Sequence, residues 1–197
     1  MNIWHKDSTA IIRSAKQWLQ TKNAAWAIVI GSFLESALIT PFIIDPLVVA
    51  YIIADKSRVV FAVIITALSS VAGGVVAYLM AHWFFEHTIM LMLSPETLLA
   101  IEPYTARMKE EAFLMSFIGA LTPVPYTFVS LAAGMVDAGL VAFTVACVLG
   151  RTMRYAVLGW LTYYYGDRAL ALMQRKMFVA VVAAAIAAVL YLFLFHY

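Results

Sequence analysis

The sequence predicts an all-α integral membrane protein. It is read as an inverted repeat of a re-entrant helical hairpin plus a transmembrane helix, with an N-terminal amphipathic helix and an extra C-terminal transmembrane helix. Three observations lead there. Hydrophobic residues make up 64% of the 197 residues and charged residues only 12%, about half the charged share of a soluble domain. Apolar windows recur at about 26–54, 59–85, 113–136, 138–165 and 177–195, against the roughly 20 residues that a crossing needs. Two of these windows carry prolines near their middles, where a membrane helix should run unbroken.

Residues 1–25 are expected to form the amphipathic element. Over residues 4–22, Ile11, Ile12, Ala15, Trp18 and Leu19 fall at helical spacing among basic residues, the pattern of a helix lying in the membrane surface. A helix packed on the protein itself gives the same pattern. A cleavable signal peptide is not expected.

Residues 26–85 are read as the first repeat. The stretch "LITPFIIDPLVVA" (38–50) puts Pro41 and Pro46 inside an apolar window, so each arm goes halfway and returns. A full helix follows over 59–85. Within it Gly73 and Gly74 point to close helix packing rather than to nucleotide binding, because no strand or phosphate loop accompanies them. Residues 86–112 form an external connecting segment. His82, Glu86 and His87 near its start could hold a metal by spacing, but no third strong ligand joins them, and interfacial anchoring is the better reading. No metal site and no cofactor are expected.

Residues 113–165 are read as the second repeat. Thr122-Pro-Val-Pro125 interrupts its first window. A shift of 82 residues, without gaps, pairs Thr40-Pro41 with Thr122-Pro123, Asp55 with Asp137, Val59 with Val141 and Phe61 with Phe143, which suggests an internal duplication. Pro41, Pro46, Pro123, Pro125 and Gly134 are the expected breakers. Trp160 and Tyr163-Tyr-Tyr165 resemble an interfacial aromatic belt. Residues 166–197 supply a cytoplasmic turn and the last crossing. Cys147, the single cysteine, reads as a small core residue.

Charge then tests the topology. With residues 1–25 in the cytoplasm, nine basic residues face inward: Lys6, Arg13, Lys16, Lys22, Lys56, Arg58, Arg168, Arg175 and Lys176. Arg107 and Lys109 face outward, and Arg151 and Arg154 remain within the membrane. That distribution satisfies the positive-inside rule.

Glu35, Asp45, Arg151 and Arg154 are the candidate substrate- or ion-binding residues. Ionisable groups at membrane depth are expensive and mark pathways or wet cavities. Arg151 and Arg154, three apart, share a helix face. The acids come from one repeat and the arginines from the other, so they can meet across the repeat interface. The same residues would also fit a buried ion-pair cluster that only locks the halves together. A net charge of +2 with no basic, aromatic-interleaved patch excludes a nucleic-acid partner. No nucleophile motif supports an enzyme.

These motifs resemble the DedA family of bacterial membrane proteins, also called the VTT or SNARE-associated domain family, and within it the short YqaA-like branch. The likeness covers about residues 30–167. It is carried by Glu35 with "TPFIIDPLVVA", by "ALTPVPYTFVSLAAGM" containing Ala133-Gly134, and by Phe143 with "GRTMRYAVLGW". Members typically have arginines flanking the second proline loop, where this chain has Ala120 and Tyr126, and a Gly after the first loop's proline, absent here. The resemblance implies paired re-entrant hairpins and a bacterial inner-membrane location. It also implies transport of lipids such as polyprenyl phosphates or phospholipids, in some cases coupled to protons. A small-ion or osmolyte transporter, a membrane enzyme acting on lipid head groups and a non-transporting scaffold stay open beside it.

Overall fold

The computed structural model describes residues 14–38, 44–89, 92–94, 96–97, 102, 106, 109–122, 125–166 and 168. Pro41, Pro123, the first half of the expected amphipathic helix and the expected C-terminal crossing lie outside them. All regular structure among the described residues is helical. The order is α1 (Lys22–Ala37), α2 (Ile44–Ala54), a 3₁₀ turn (Lys56–Arg58), α3 (Val59–Phe84), α4 (Ala112–Leu121), α5 (Tyr126–Met135) and α6 (Leu140–Tyr165). A single π turn, Phe85–Ile89, prolongs α3.

Two helical stretches are long and apolar enough to cross a membrane: Lys56–Thr88 with 33 residues and Leu140–Tyr165 with 26. By contrast α2 has 11 residues and α4 and α5 have 10 each. At 1.5 Å per residue these short helices reach about 15 Å, half of a hydrocarbon core of about 30 Å.

The short helices pair with their outer ends together, α2 with the 16-residue α1 and α4 with α5. Gln20, just before α1, donates to the Ala54 carbonyl at the end of α2 (3.0 Å), and Arg58 donates back to the Gln20 carbonyl (2.9 Å). Lys56 reaches the Tyr163 carbonyl near the end of α6 (2.8 Å). At the other end, Lys109 before α4 pairs with Asp137 after α5 (3.5 Å). Tyr78 and His82 of α3 approach the same carboxylate at 3.4 and 3.8 Å. His82 also lies 3.6 Å from Glu86. The pairs therefore enter from opposite ends of the molecule. The long helices α3 and α6 pack on each other, with α1 and α5 against α3 and α4 and α2 against α6.

Small polar residues share the interior with the apolar core, and the surface is largely apolar. Ser32, Ser36, Thr66, Ser70, Ser116, Ser130 and Thr162 are buried, whereas Val60, Leu68, Met80, Val141, Met153 and Trp160 are exposed. Water would oppose that arrangement, and hydrocarbon requires it. Small polar residues knit α1 to α3. Ser32 donates to the Thr66 carbonyl (3.0 Å), and the Ser36 and Ser70 hydroxyls lie 2.7 Å apart. A Cβ on Gly73 would strike the Phe33 carbonyl, so the glycine permits this close approach.

Two of the expected breakers break nothing. Pro46 lies in the first turn of α2, where its missing N–H has no intrahelical partner to lose, so it starts the second arm. Gly134 lies inside α5, and a Cβ there would collide with the Tyr78 carbonyl of α3. It is a packing glycine. Pro125 is the N-cap of α5 with φ −55° and ends the interruption. The first arm begins at Lys22 rather than residue 26, after a turn at Gln20–Thr21. Within the 3₁₀ turn, Ser57 donates to Asp55 through its hydroxyl (2.6 Å) and its backbone N–H (3.1 Å). These bonds, then the Arg58 charge, hold the Asp55 carboxyl below its ordinary value.

Gly134→Ala is expected to overpack the α3–α5 contact and destabilise the fold by about 1–3 kcal/mol. A lowered thermal midpoint in mild detergent checks this, and an unchanged midpoint would show that the helices can part without loss.

Candidate functional site

The end of α1 and the starts of α2 and α5 meet beside the middle of α6. Helix α1 ends when the chain turns extended at Leu38 (φ −119°, ψ 155°), which leaves its last carbonyls without intrahelical donors. Thr127, second residue of α5, brings its hydroxyl to the carbonyls of Glu35 (3.0 Å), Ser36 (3.3 Å) and Leu38 (3.0 Å). One proton serves whichever carbonyl is aligned. The start of α2 is met from the same pair of helices by Glu35, whose Oε2 accepts the backbone N–H of Ile44, the first residue of α2 (3.1 Å).

Asp45 follows in the first turn of α2 and is 3% exposed. A carboxylate is favoured at a helix N-terminus by the backbone dipole, but burial demands a counter-charge. Arg154 of α6, 4% exposed, donates Nη2 to Asp45 Oδ2 at 2.5 Å. Arg151, one turn earlier and 3% exposed, has no hydrogen bond or ion pair among the described residues. Its guanidinium instead lies 3.9 Å from the centre of the Tyr126 ring and 6.0 Å from that of Tyr155. Arg154 is 5.6 Å from the Tyr155 ring. Cation–π contact is strong when both partners are out of water.

Asp45 Oδ1, Arg151 Nε, Arg154 Nε and Tyr126 Oη are buried without hydrogen-bond partners among the described residues. Native interiors rarely leave such atoms orphaned except at functional sites or where water enters. Donors and an acceptor alike are therefore left open among the described residues of this cluster, beside the Asp45 and Glu35 carboxylates.

All four charged residues singled out by sequence thus lie near the end of α1, the start of α2 and the middle of α6. Asp45 and Arg154 are in direct contact, Glu35 holds the start of α2, and Arg151 sits on an aromatic face. Sequence reasoning missed Thr127 and Tyr155. Thr127 carried a signal: the 82-residue shift that matches the Thr-Pro pairs also matches Asp45 with Thr127.

The VTT-domain family profile matches residues 39–164, well over half of the chain. The chain belongs to the VTT-domain, or DedA, family. Neither a curated relative nor a solved structure matches it. The VTT match takes in Asp45, Thr127, Arg151 and Arg154, and Glu35 lies just ahead of it. With two spanning-length apolar helices and a largely apolar surface, this VTT-domain chain is a membrane protein.

Asp45→Asn is expected to strip the buried Arg154 of its hydrogen-bonded counter-charge, costing about 3–5 kcal/mol. The double variant Asp45→Leu/Arg154→Met should recover most of that loss in thermal unfolding. A double variant no more stable than Asp45→Asn would show that the pair is needed for folding.

Proposed function

We propose that this protein carries a lipid phosphate, either a polyprenyl phosphate or a phospholipid, across the bacterial inner membrane without a covalent step. The observation that carries the reading is Arg151: a buried guanidinium held by aromatic faces, one turn from Arg154, with its donors uncommitted among the described residues. Two arginines on one helix face can grip a phosphate through parallel N–H···O bonds.

The acids supply control. With Asp45 ionised, Arg154 is engaged; with Asp45 protonated, the attraction falls and Arg154 is released to a phosphate oxygen. Glu35, beside the same tip, is the second proton acceptor. Proton movement would thereby couple to lipid phosphate binding. In this reading the hairpins are re-entrant and the repeats inverted. Support comes from the hairpin ends meeting at opposite ends of the molecule, and from α2 and α5 starting 82 residues apart, at Ile44 and Tyr126. Inverted repeats can rock about a midplane site to change which side is open. The basic residues near Gln20 and Arg58 favour that end as cytoplasmic, with the N-terminus. The short YqaA-like branch is the assignment that the loop motifs favour.

Two measurements test this. In reconstituted vesicles, transfer of a labelled polyprenyl phosphate or phospholipid should fall at least about tenfold in Arg151→Gln and Arg154→Gln, the loss of one charge-assisted contact. An imposed pH gradient should accelerate wild-type transfer. Folded wild type that moves neither lipid would refute the proposal and favour a small solute or a scaffold. For topology, Ser57→Cys and Lys109→Cys in a Cys147→Ser background should react with an impermeant maleimide from opposite sides. Labelling from the same side would overturn the inverted arrangement.

A further inference from the structure

A groove of about 580 Å³ opens between α1 and α3, away from the charged cluster; its walls include Lys22, Trp26, Val29, Tyr51, Arg58 and Phe61. Its volume is that of small-ligand sites, which run from about 300 to 1,000 Å³. The chemistry is graded along it. Helices α1 and α3 both start at the same end of the molecule, since Arg58 donates to the Gln20 carbonyl. Lys22 and Arg58 therefore stand together at the mouth. Val29 and Ile65, each seven residues further on, lie about 10 Å deeper at 1.5 Å per residue. Between them are Ala25, Trp26 and Phe61.

The mouth is cationic. Lys22 has no ion pair or hydrogen bond among the described residues. Arg58 uses Nε for Asp55 (2.9 Å) and Nη1 for the Gln20 carbonyl and Tyr51 hydroxyl (3.4 Å), and no bond from its Nη2 is found among the described residues. Asp55 offsets one of the two charges. The sides face outward into the apolar surround: Trp26 is 63% and Phe61 51% exposed. A cationic mouth above an apolar, laterally open slot has the polarity profile of one amphiphile standing in a leaflet, with indole at the boundary where tryptophan concentrates.

We infer that this groove binds one anionic glycerophospholipid, its phosphate on Lys22 and Arg58 and an acyl chain along Trp26, Val29 and Ile65. This is a resident site separate from the arginine cluster. It depends on the membrane setting and not on transport. An anionic lipid fits better than a zwitterionic one, because a choline would bring a third cation to the mouth.

The test is native mass spectrometry of the full chain released from nanodiscs of equal phosphatidylglycerol and phosphatidylcholine. Wild type should keep one phosphatidylglycerol after phosphatidylcholine is stripped. Lys22→Gln should lower that occupancy about tenfold, as expected for losing a charge-assisted contact. Ala25→Trp, which fills the slot, should abolish it, and Arg154→Gln should leave it intact. Equal retention of both lipids, or equal phosphatidylglycerol occupancy in wild type and Lys22→Gln, would overturn the inference. Loss in Arg154→Gln alone would also overturn it, by moving the lipid to the buried cluster. A dimer that Ala25→Trp dissociates would replace the lipid with a second copy of the chain.

Discussion

A helix that stops inside hydrocarbon leaves carbonyls and N–H groups that no water can satisfy, and each such group costs several kcal/mol. In the proposed re-entrant arrangement this constraint organises the molecule. The end of α1 is met by the Thr127 hydroxyl from the opposing hairpin, and the start of α2 is met by the Glu35 carboxylate. Asp45, in the first turn of α2, then needs a buried cation, and Arg154 supplies it from α6. Because Thr127 and Arg154 come from distant parts of the chain, neither tip is complete until the helices have assembled. The small residues of α1 and α3 serve the same end, for Ser32, Ser36 and Gly73 bring the backbones close enough for the tips to register.

Upon this scaffold the charges are unequal. The 82-residue register pairs Asp45 with Thr127, and both hold the second position of their helices. It pairs Arg151 with Ser69 and Arg154 with Ala72. In the proposed repeat the two halves thus carry different chemistry, acids in one and buried arginines in the other. Thr127 meets backbone carbonyls at the end of α1, whereas Asp45 needs a counter-ion on α6. The Asp45–Arg154 ion pair therefore runs between the halves of the proposed duplication.

Much of this was legible because membranes make polarity expensive. The two long helices follow from hydropathy, and the interrupted windows follow from Thr40-Pro41 and Thr122-Pro123. Four ionisable residues in apolar runs announced their own importance. Local rules were less reliable at Pro46 and Gly134. Proline is a breaker inside a helix but a starter in its first turn, and sequence does not say which turn it occupies. Glycine in an apolar run can be a break or a contact surface, and only α3 against α5 decides between them. Thr127 escaped notice because a hydroxyl acquires meaning only from partners 89–92 residues away. The groove between α1 and α3 was illegible for a similar reason, since Lys22 and Arg58 become neighbours through the return of the first hairpin.

The two buried arginines are not equivalent, and their difference bears on the proposed transport. Arg154 gives a donor to Asp45, so its availability depends on whether that carboxylate is charged. Arg151 is held by the Tyr126 face, an attraction that stabilises the cation without occupying any N–H. Aromatic support therefore leaves the planar fork available, whereas carboxylate support withholds it until a proton arrives. In the proposed cycle Arg151 is a standing site for one phosphate oxygen and Arg154 a conditional second. Binding through Arg151 alone would be weak and reversible; protonation of Asp45 completes the bidentate grip, and its loss restores the ion pair and expels the phosphate. Replacing Tyr126 would then weaken the first contact while leaving the proton-dependent one, a separation that an acid partner for both arginines could not provide.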